Sequence, residues 1–261
     1  MPRNLLIIAF LITGCSTVTL PERKATYAIS GSEFYTMAAS FSWKQRDSLA
    51  IEKILAGNMP SFLYRLVPVE IKGMDSAHSK PVSIIIYVSP DYLSIGNDND
   101  WARIPVTPMA AKVIADSFQC IFPTTKMVDA IYRKAVVKLS PMPLFAFRDS
   151  TPTMYHHHLI IEGQRKGAKG LIAGIKKDIV PYNSMANAKK ERVAIYGWHK
   201  PDGKPIQPFY TGHVNWYVYY SHGLRLVYRK MKVNGKWKDF SDVMKDEFLR
   251  SLICSSGDCL N

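Results

Sequence analysis

Side chains that can move protons or hold anions are concentrated in the C-terminal third of the chain. This part contains His199, His213 and the consecutive residues Ser221 and His222, with Arg225 three residues further on. Glycines or prolines lie close to these residues, which predicts loop positions of the kind that often carry catalytic groups. Histidine titrates near neutral pH, a serine beside it can act as a nucleophile, and arginine can hold a carboxylate through two hydrogen bonds.

These residue types predict a hydrolase or transferase. We expect the three histidines to carry protons, Ser221 to be the nucleophile, Arg225 to hold an anionic group and Asp178 to orient a histidine. The predicted binding residues are Lys177, Gln207, Trp216 and Tyr220. The alternative is a non-catalytic protein that binds peptidoglycan, a glycan or a partner protein through the same aromatic and basic surface. Convergence of the three histidines in one concave site would favour the enzyme.

Residues 221–226, Ser-His-Gly-Leu-Arg-Leu, resemble the Ser-His-Gly-Cys-x-Arg signature of the L,D-transpeptidases, which cross-link peptidoglycan through a cysteine. Residues 193–197 likewise resemble the strand that carries the upstream histidine in that family. The chain has no cysteine after Gly223, and Tyr196 stands in place of the histidine. The resemblance covers about 35 residues. It is compatible with a cell-wall polymer or glycan as substrate, but the family's thiolate mechanism is not carried over.

Two further polar clusters contain residue types that bind metal ions. The consecutive residues His156–His158 fall on a predicted helix, where successive side chains point about 100° apart and cannot all face one point. Residues 97–100 have oxygen ligands but lack the twelve-residue loop and distal glutamate of a calcium-binding hand. We therefore predict no metal and no cofactor. We expect a polar hairpin turn at residues 97–100, and one histidine of the triple facing a cleft with the others solvated.

The first fifteen residues have the layout of an export signal: a short basic start, an apolar run from Leu5 to Ile12 and small residues before Cys15. The apolar run is shorter than the roughly 20 residues that a membrane-spanning helix needs. Residues 12–15, Ile-Thr-Gly-Cys, resemble the lipobox of bacterial lipoproteins. That resemblance implies removal of residues 1–14 and lipid on the Cys15 thiol. With Ser16 after the cysteine, it also implies the outer membrane if the cell has one.

The signal admits two alternatives, an ordinary signal peptide cut near Ser16 or an N-terminal core strand. Residues 15–30 are predicted as the lipid anchor and tether, and residues 31–261 as one globular domain that could divide near 140–152, where prolines cluster. The chain also resembles a group of uncharacterised exported bacterial proteins through segments such as 126–129, 176–178 and 220–223, which implies no particular activity.

The net charge of +13 favours anionic partners through long-range attraction. On an exported protein those partners are an anionic envelope polymer or glycan, in addition to the membrane reached through lipid on Cys15. Nucleic acid is not expected, because export removes the chain from it. Simple solubility from scattered lysines is the alternative explanation, and the oligomeric state stays open.

Four cysteines are present. Cys254 and Cys259 flank a short loop in which Gly257 could let the chain turn back, and in an oxidising compartment they could form a disulfide. Cys120 lies among apolar residues on a predicted helix, where a buried free thiol is expected. Pairing of Cys120 with the C-terminal cysteines is the alternative.

Hydrophobic periodicity and capping residues predict an α+β fold. Helices are expected at 32–56, after Thr107-Pro108, at 126–137 and from Thr151-Pro152 to about Arg165. Strands are expected at 62–72 and 82–89, with a hairpin of 92–96 and 101–106. The remaining predicted strands are 171–175, 192–197, 214–219 and 224–233, followed by a helix at 240–253. The architecture would thus have a helical N-terminal half with a hairpin and a strand-rich C-terminal half closed by a C-terminal helix.

Overall fold

Helices and strands follow one another in blocks along the chain. The computed structural model describes residues 17–75, 79–182, 191–255 and 259. Its helices are α1 (Gly31–Met37), α2 (Trp43–Leu55), α3 (Pro108–Ser117), α4 (Thr125–Lys134), α5 (Thr151–Arg165), α6 (Phe240–Lys245) and α7 (Glu247–Ile253). The predicted α+β class is confirmed. Within the described ranges, no helix has the length and apolar character needed to cross a bilayer.

The strands are short except for two. They are β1 (Val18–Thr19), β2 (Arg65–Asp75), β3 (Lys80–Val88), β4 (Ser94–Gly96), β5 (Trp101–Arg103), β6 (Cys120–Ile121), β7 (Val137–Lys138), β8 (Ile172–Ala173), β9 (Lys177–Val180), β10 (Ala194–His199), β11 (Pro205–Tyr210), β12 (His222–Gly223), β13 (Val227–Tyr228), β14 (Lys230–Val233) and β15 (Lys236–Asp239). The larger sheet has the order β1-β2-β3-β13-β6, and in addition β14 pairs with β3 and β15 pairs with β14. The smaller sheet has the order β11-β10-β9-β12 and carries the candidate site.

Hydroxyl side chains start the helices much as predicted. The side chain of Thr107 accepts a hydrogen bond from the Ala110 amide at the start of α3, and Thr124 does the same at the start of α4. The predicted helix over 32–56 is interrupted, however. Ser42 and Gln45 form a capping box that begins α2, so residues 38–42 separate it from α1.

The predicted hairpin is present, and the two predicted strands before it pair with each other. Strands β2 and β3 pair from Val67 opposite Val88 to Asp75 opposite Lys80. Strands β4 and β5 are joined by the predicted polar turn, in which the side-chain oxygen of Asn97 accepts hydrogen bonds from the amides of Asn99 and Asp100. This turn is explained by ordinary Asx chemistry.

Two hydrophobic cores form around the larger sheet. One contains Val69, Ile84 and Ile86 of β2 and β3 with buried side chains of α4, α6 and α7. The other joins residues of α1, α2 and α3 to Ile179, Ile195 and Trp198 of the smaller sheet. The second core therefore fixes the small sheet against the N-terminal helices.

Other predicted elements also differ in the structure. Residues 214–219 do not form a strand; Val214 makes an isolated bridge to Arg192, and the Tyr217 amide closes a turn on the Val214 carbonyl. The predicted final helix is broken at Asp246, which caps α7 with its side chain. Cys120 lies on β6 and not on a helix.

Part of the predicted N-terminal tether packs against the folded domain. Val18 and Thr19 pair with β2, and Leu20 is buried. The tether predicted over 15–30 is therefore corrected, because Val18 and Thr19 already belong to the larger sheet. Cys15, its proposed lipidation and the signal residues 1–14 lie outside the described residues.

The C-terminal cysteines behave as predicted. Cys254 and Cys259 form a disulfide with their Cα atoms 5.8 Å apart. Cys120 is a buried free thiol. Burial raises the pKa of this thiol, which keeps it protonated.

Candidate functional site

The site begins with two neighbouring strands of the smaller sheet. Strand β12 runs parallel to β9 with His222 beside Lys177, so their side chains project from the same face. Trp198 of β10 lies on that face, with its ring centre 5.3 Å from Nζ of Lys177. Both Gly197 and Trp198 have positive φ angles, and the pairing of β10 with β11 shifts register at this point. The irregular backbone is therefore at the point where the Trp198 indole lies beside Lys177.

A loop before β12 completes the site. The Tyr219 hydroxyl lies 3.3 Å from Nζ of Lys177 and 3.1 Å from Nε2 of His213. The ring centres of Tyr219 and His222 are 4.3 Å apart. We call Lys177, His213, Tyr219 and His222 the acid–base cluster.

Burial sets the protonation states in the acid–base cluster. Desolvation, helped by the nearby Arg148 cation, lowers the pKa of Lys177 to about 8. Desolvation also lowers the pKa of His213, with smaller effects of Lys177 and the neighbouring arginines, and it raises the pKa of Tyr219. At neutral pH His213 is therefore a neutral acceptor, Tyr219 keeps its proton, and Lys177 is largely charged. Lys177 then donates to the Tyr219 oxygen, and Tyr219 donates to Nε2 of His213.

His222 is the most enclosed member of the cluster. Its side chain is fully buried, and neither ring nitrogen has a hydrogen-bond partner among the described residues. Burial and the surrounding positive charges hold its pKa well below the usual range, so the ring stays neutral. His222 therefore packs against Tyr219, whereas the half-buried His213 connects the cluster to solvent.

The loop over residues 141–150 borders the cluster. Arg148 is exposed, and its guanidinium carbon lies 4.9 Å from the centre of the Tyr219 ring. Tyr220 fixes the loop: its hydroxyl bonds the backbone of Leu144, and its amide donates to the Arg148 carbonyl. Because Tyr220 is fully buried in this role, its placement does not fit the predicted ligand-binding surface.

Arg225 lies in the interior and not at the mouth of the site. Its guanidinium is fully buried and donates to the carbonyls of Ser89 (2.8 Å) and Ile172 (2.7 Å). Asp178 is also buried and accepts a hydrogen bond from the Tyr92 hydroxyl at 2.8 Å. These placements do not fit the expected anion clamp and orienting carboxylate. Arg225 and Asp178 instead belong to a buried polar network that joins the two sheets.

His199 does not converge with the other two predicted histidines. Its Nε2 lies 2.9 Å from a carboxylate oxygen of Asp129 on α4, and the Tyr196 hydroxyl donates to the same oxygen. The ring of His199 stacks on Tyr132 at 4.5 Å between centres. The structure thus brings together two of the three histidines and places His199 against α4.

Ser221 and Gln207 also depart from their predicted roles. The Ser221 side chain is fully buried, so a substrate cannot reach its hydroxyl without movement of the chain. Its carbonyl accepts the Lys177 amide hydrogen and helps to align β12 with β9. Gln207 is half-buried on β11, where its side-chain amide donates to the Pro208 carbonyl.

The triple histidine is buried in two of its three positions, contrary to expectation. Nδ1 of His157 lies 3.2 Å from Nζ of the buried Lys176, and Nδ1 of His158 lies 3.3 Å from a guanidinium nitrogen of Arg103. Only His156 is exposed. Across the described part of the chain, no group of three histidine, cysteine or acidic residues is placed to hold a metal ion.

Sequence reasoning missed the central residue of the site. Tyr219 is one of several aromatics in residues 216–220, and no spacing rule separates it from Tyr217 or Tyr220. Its role depends on the contact with Lys177, which lies 42 residues away along the chain.

Comparisons with protein families, curated proteins and solved structures found no match.

Proposed function

We propose that this chain is an exported, lipid-anchored envelope enzyme, a hydrolase or transferase that acts on a cell-wall polymer or glycan. The observation that carries the catalytic part is the Tyr219 hydroxyl held between Nζ of Lys177 and Nε2 of His213. A titratable amine, phenol and imidazole in one hydrogen-bonded row can give and take protons near neutral pH.

The row supports a balanced general acid–base reaction. A water or acceptor hydroxyl attacks the substrate and gives its proton to the Tyr219 oxygen, while the Tyr219 proton passes to Nε2 of His213. The leaving group then takes the proton of the Tyr219 hydroxyl, and the buried Lys177 ammonium replaces that proton and becomes a neutral amine. The proton on His213 then returns to Lys177 through Tyr219 and restores the starting state.

Three features support the envelope location. The N-terminal sequence has the layout of an export signal that ends at Cys15, and the chain is strongly basic. Disulfides such as Cys254–Cys259 are typical of compartments outside the cytoplasm. The mature N-terminus is tested by mass spectrometry of the membrane fraction. We expect an acylated cysteine at residue 15, which Cys15→Ser abolishes; an unacylated chain that retains Met1 would contradict the proposal.

Turnover is tested by incubating the purified protein with peptidoglycan and assorted glycans. We expect Tyr219→Phe, His213→Asn and Lys177→Met each to lower kcat on the order of 100-fold or more, as for loss of a general acid or base. The exposed residues His156 and Lys204 provide matched controls, and His156→Asn and Lys204→Met should keep full activity. Polymer binding without turnover, unchanged in all three site variants, would instead identify a binding protein.

The pH profile gives a second test of the same proton path. We expect the rate to fall as the pH drops through the lowered pKa of His213, because the base becomes protonated. It should also fall as the pH rises above about 8, because Lys177 loses the proton that it donates. The alkaline limb should disappear in Lys177→Met. A profile that is the same in this variant and the parent would rule out Lys177 as the acid.

A further inference from the structure

An aromatic pocket lies beside the acid–base cluster. It has a volume of about 300 Å³ and is formed by the segment between α1 and α2, the start of α5 and residues 216–218. Tyr217 belongs to both places, because it lines the pocket while its ring centre lies 5.2 Å from that of His213 and 5.3 Å from that of Tyr219. A group bound in this pocket would therefore lie next to the proton path.

The pocket combines aromatic rings with hydrogen-bonding side chains. Phe41, Trp43, Trp216 and Tyr217 contribute rings, and the Trp216 side chain is 49% exposed. Asp149 and Ser150 contribute oxygen atoms from the loop that borders the cluster. Aromatic faces pack against the apolar face of a pyranose ring, while polar side chains bind its hydroxyls.

A buried arginine lies in the wall of the pocket. Arg46 lines the pocket and is only 3% exposed, and its Nε has no hydrogen-bond partner among the described residues. Its carboxylate contact within the described ranges is long, 3.4 Å to Asp47, and the other oxygen of Asp47 accepts the Thr107 amide hydrogen. An unpaired N–H on a buried cation costs free energy that a ligand carboxylate would recover.

We propose that this pocket is a subsite for a sugar ring that bears a carboxylate, adjacent to the bond held at the acid–base cluster. The position of that bond rests on the proposed function, whereas binding in the pocket does not. The start of α5 at Thr151 lies in the pocket wall and adds positive potential. Asp149 opposes a doubly charged ligand but can accept hydrogen bonds from the hydroxyls of a singly charged sugar.

The test compares two monosaccharides with the full-length protein. N-acetylmuramic acid carries a carboxylate on a lactyl ether that N-acetylglucosamine lacks, and ligand-observed NMR gives Kd for both. We expect N-acetylmuramic acid to bind at least about 10-fold more tightly, because the carboxylate reaches Arg46. Arg46→Met should abolish this preference, and Trp216→Ala should raise the Kd of both sugars by about 10-fold. Trp237→Ala removes an equally exposed indole (47%) from β15 and should change neither Kd.

The outcomes separate this subsite from the proposed catalysis. Equal affinity of the parent for the two sugars, or unchanged binding in Trp216→Ala, would overturn the subsite even if the protein turns over polymer. Selective binding without any turnover would retain the subsite and reject the enzyme. If Arg46→Met fails to fold, the exposed Trp216 position and the two-sugar comparison in the parent still decide the question.

Discussion

The hydroxyl of Tyr219 lies 3.1 Å from Nε2 of His213, six residues earlier in the same loop. On its other side the hydroxyl is 3.3 Å from Nζ of Lys177, which is almost completely buried. Because His213 is half-buried, the phenol links an enclosed amine to a group that solvent and substrate can reach. A proton can thus move between the interior and the surface without exposing Lys177.

The first prediction concerns the titration of Lys177. Burial places its pKa at about 8, and the Arg148 cation contributes to this lowering. We expect the Lys177 signal in a heteronuclear NMR titration to have its midpoint near pH 8 and to move upward in Arg148→Ala. Arg192 provides the control, because it lowers the pKa of His213 and is not among the causes for Lys177. In Arg192→Ala the His213 midpoint should rise while the Lys177 midpoint stays in place.

The second prediction concerns the structural role of Arg225. Arg225→Ala would remove two hydrogen bonds to buried carbonyls and leave the carboxylate of Asp178 without its nearest cation. We expect the free energy of unfolding in urea to fall by about 3–5 kcal/mol. Arg229→Ala removes a half-exposed arginine that pairs with Asp239 and should cost at most about 1 kcal/mol. A stable Arg225→Ala protein that has lost only affinity for anionic substrates would restore the anion-clamp interpretation.

Local chemistry explains why much of the secondary structure could be predicted. The caps at Thr107 and Thr124 and the Asx turn at Asn97 each depend on residues within three positions of one another. The prediction was less accurate where apolar spacing and a capping residue pointed to different helix boundaries. Apolar spacing favoured a continuous helix over 32–56, but the Ser42 capping box divides it.

The candidate site was predicted only in part, because its contacts are distant in sequence. Lys177 and His222 meet through a parallel pairing of short strands that no periodicity reveals. Residues 216–220 alternate like a strand, but the turn between Val214 and Tyr217 prevents pairing, and Tyr219 then faces Lys177. The residue types were therefore informative about the chemistry, whereas burial decided which of them can take part.

The third prediction concerns the C-terminal disulfide. It closes a short loop directly after α7, and the chain-entropy argument gives about 2 kcal/mol for a loop of this length. We expect the paired substitution Cys254→Ser with Cys259→Ser to lower the free energy of unfolding by about that amount. Cys120→Ser serves as a comparison at the free thiol. If reducing agent destabilises the parent but not the paired variant, the effect belongs to this disulfide.

The last prediction is a loss of stability in mild acid. Burial and neighbouring cations lower the pKa values of His157, His158 and His222, that of His158 to about 3. Since the unfolded chain binds protons at these histidines below about pH 6.5, each contributes a loss of about 1.4 kcal/mol per pH unit as the pH falls. Burial raises the pKa of Asp178 to about 6, so its carboxyl gives an opposite slope of one proton between about pH 4 and 6, and burial also raises the pKa of Asp47, which acts in the same direction.

The three histidines therefore outnumber the two opposing carboxyls, and urea unfolding at a series of pH values should show stability decreasing below pH 6.5. His157→Asn should reduce the slope by one proton, whatever its effect on absolute stability. The exposed neighbour His156 gives the matched control, and His156→Asn should leave the slope as in the parent. Equal slopes in both variants would mean that His157 is already protonated in the folded protein, which its contact with the Lys176 amine opposes.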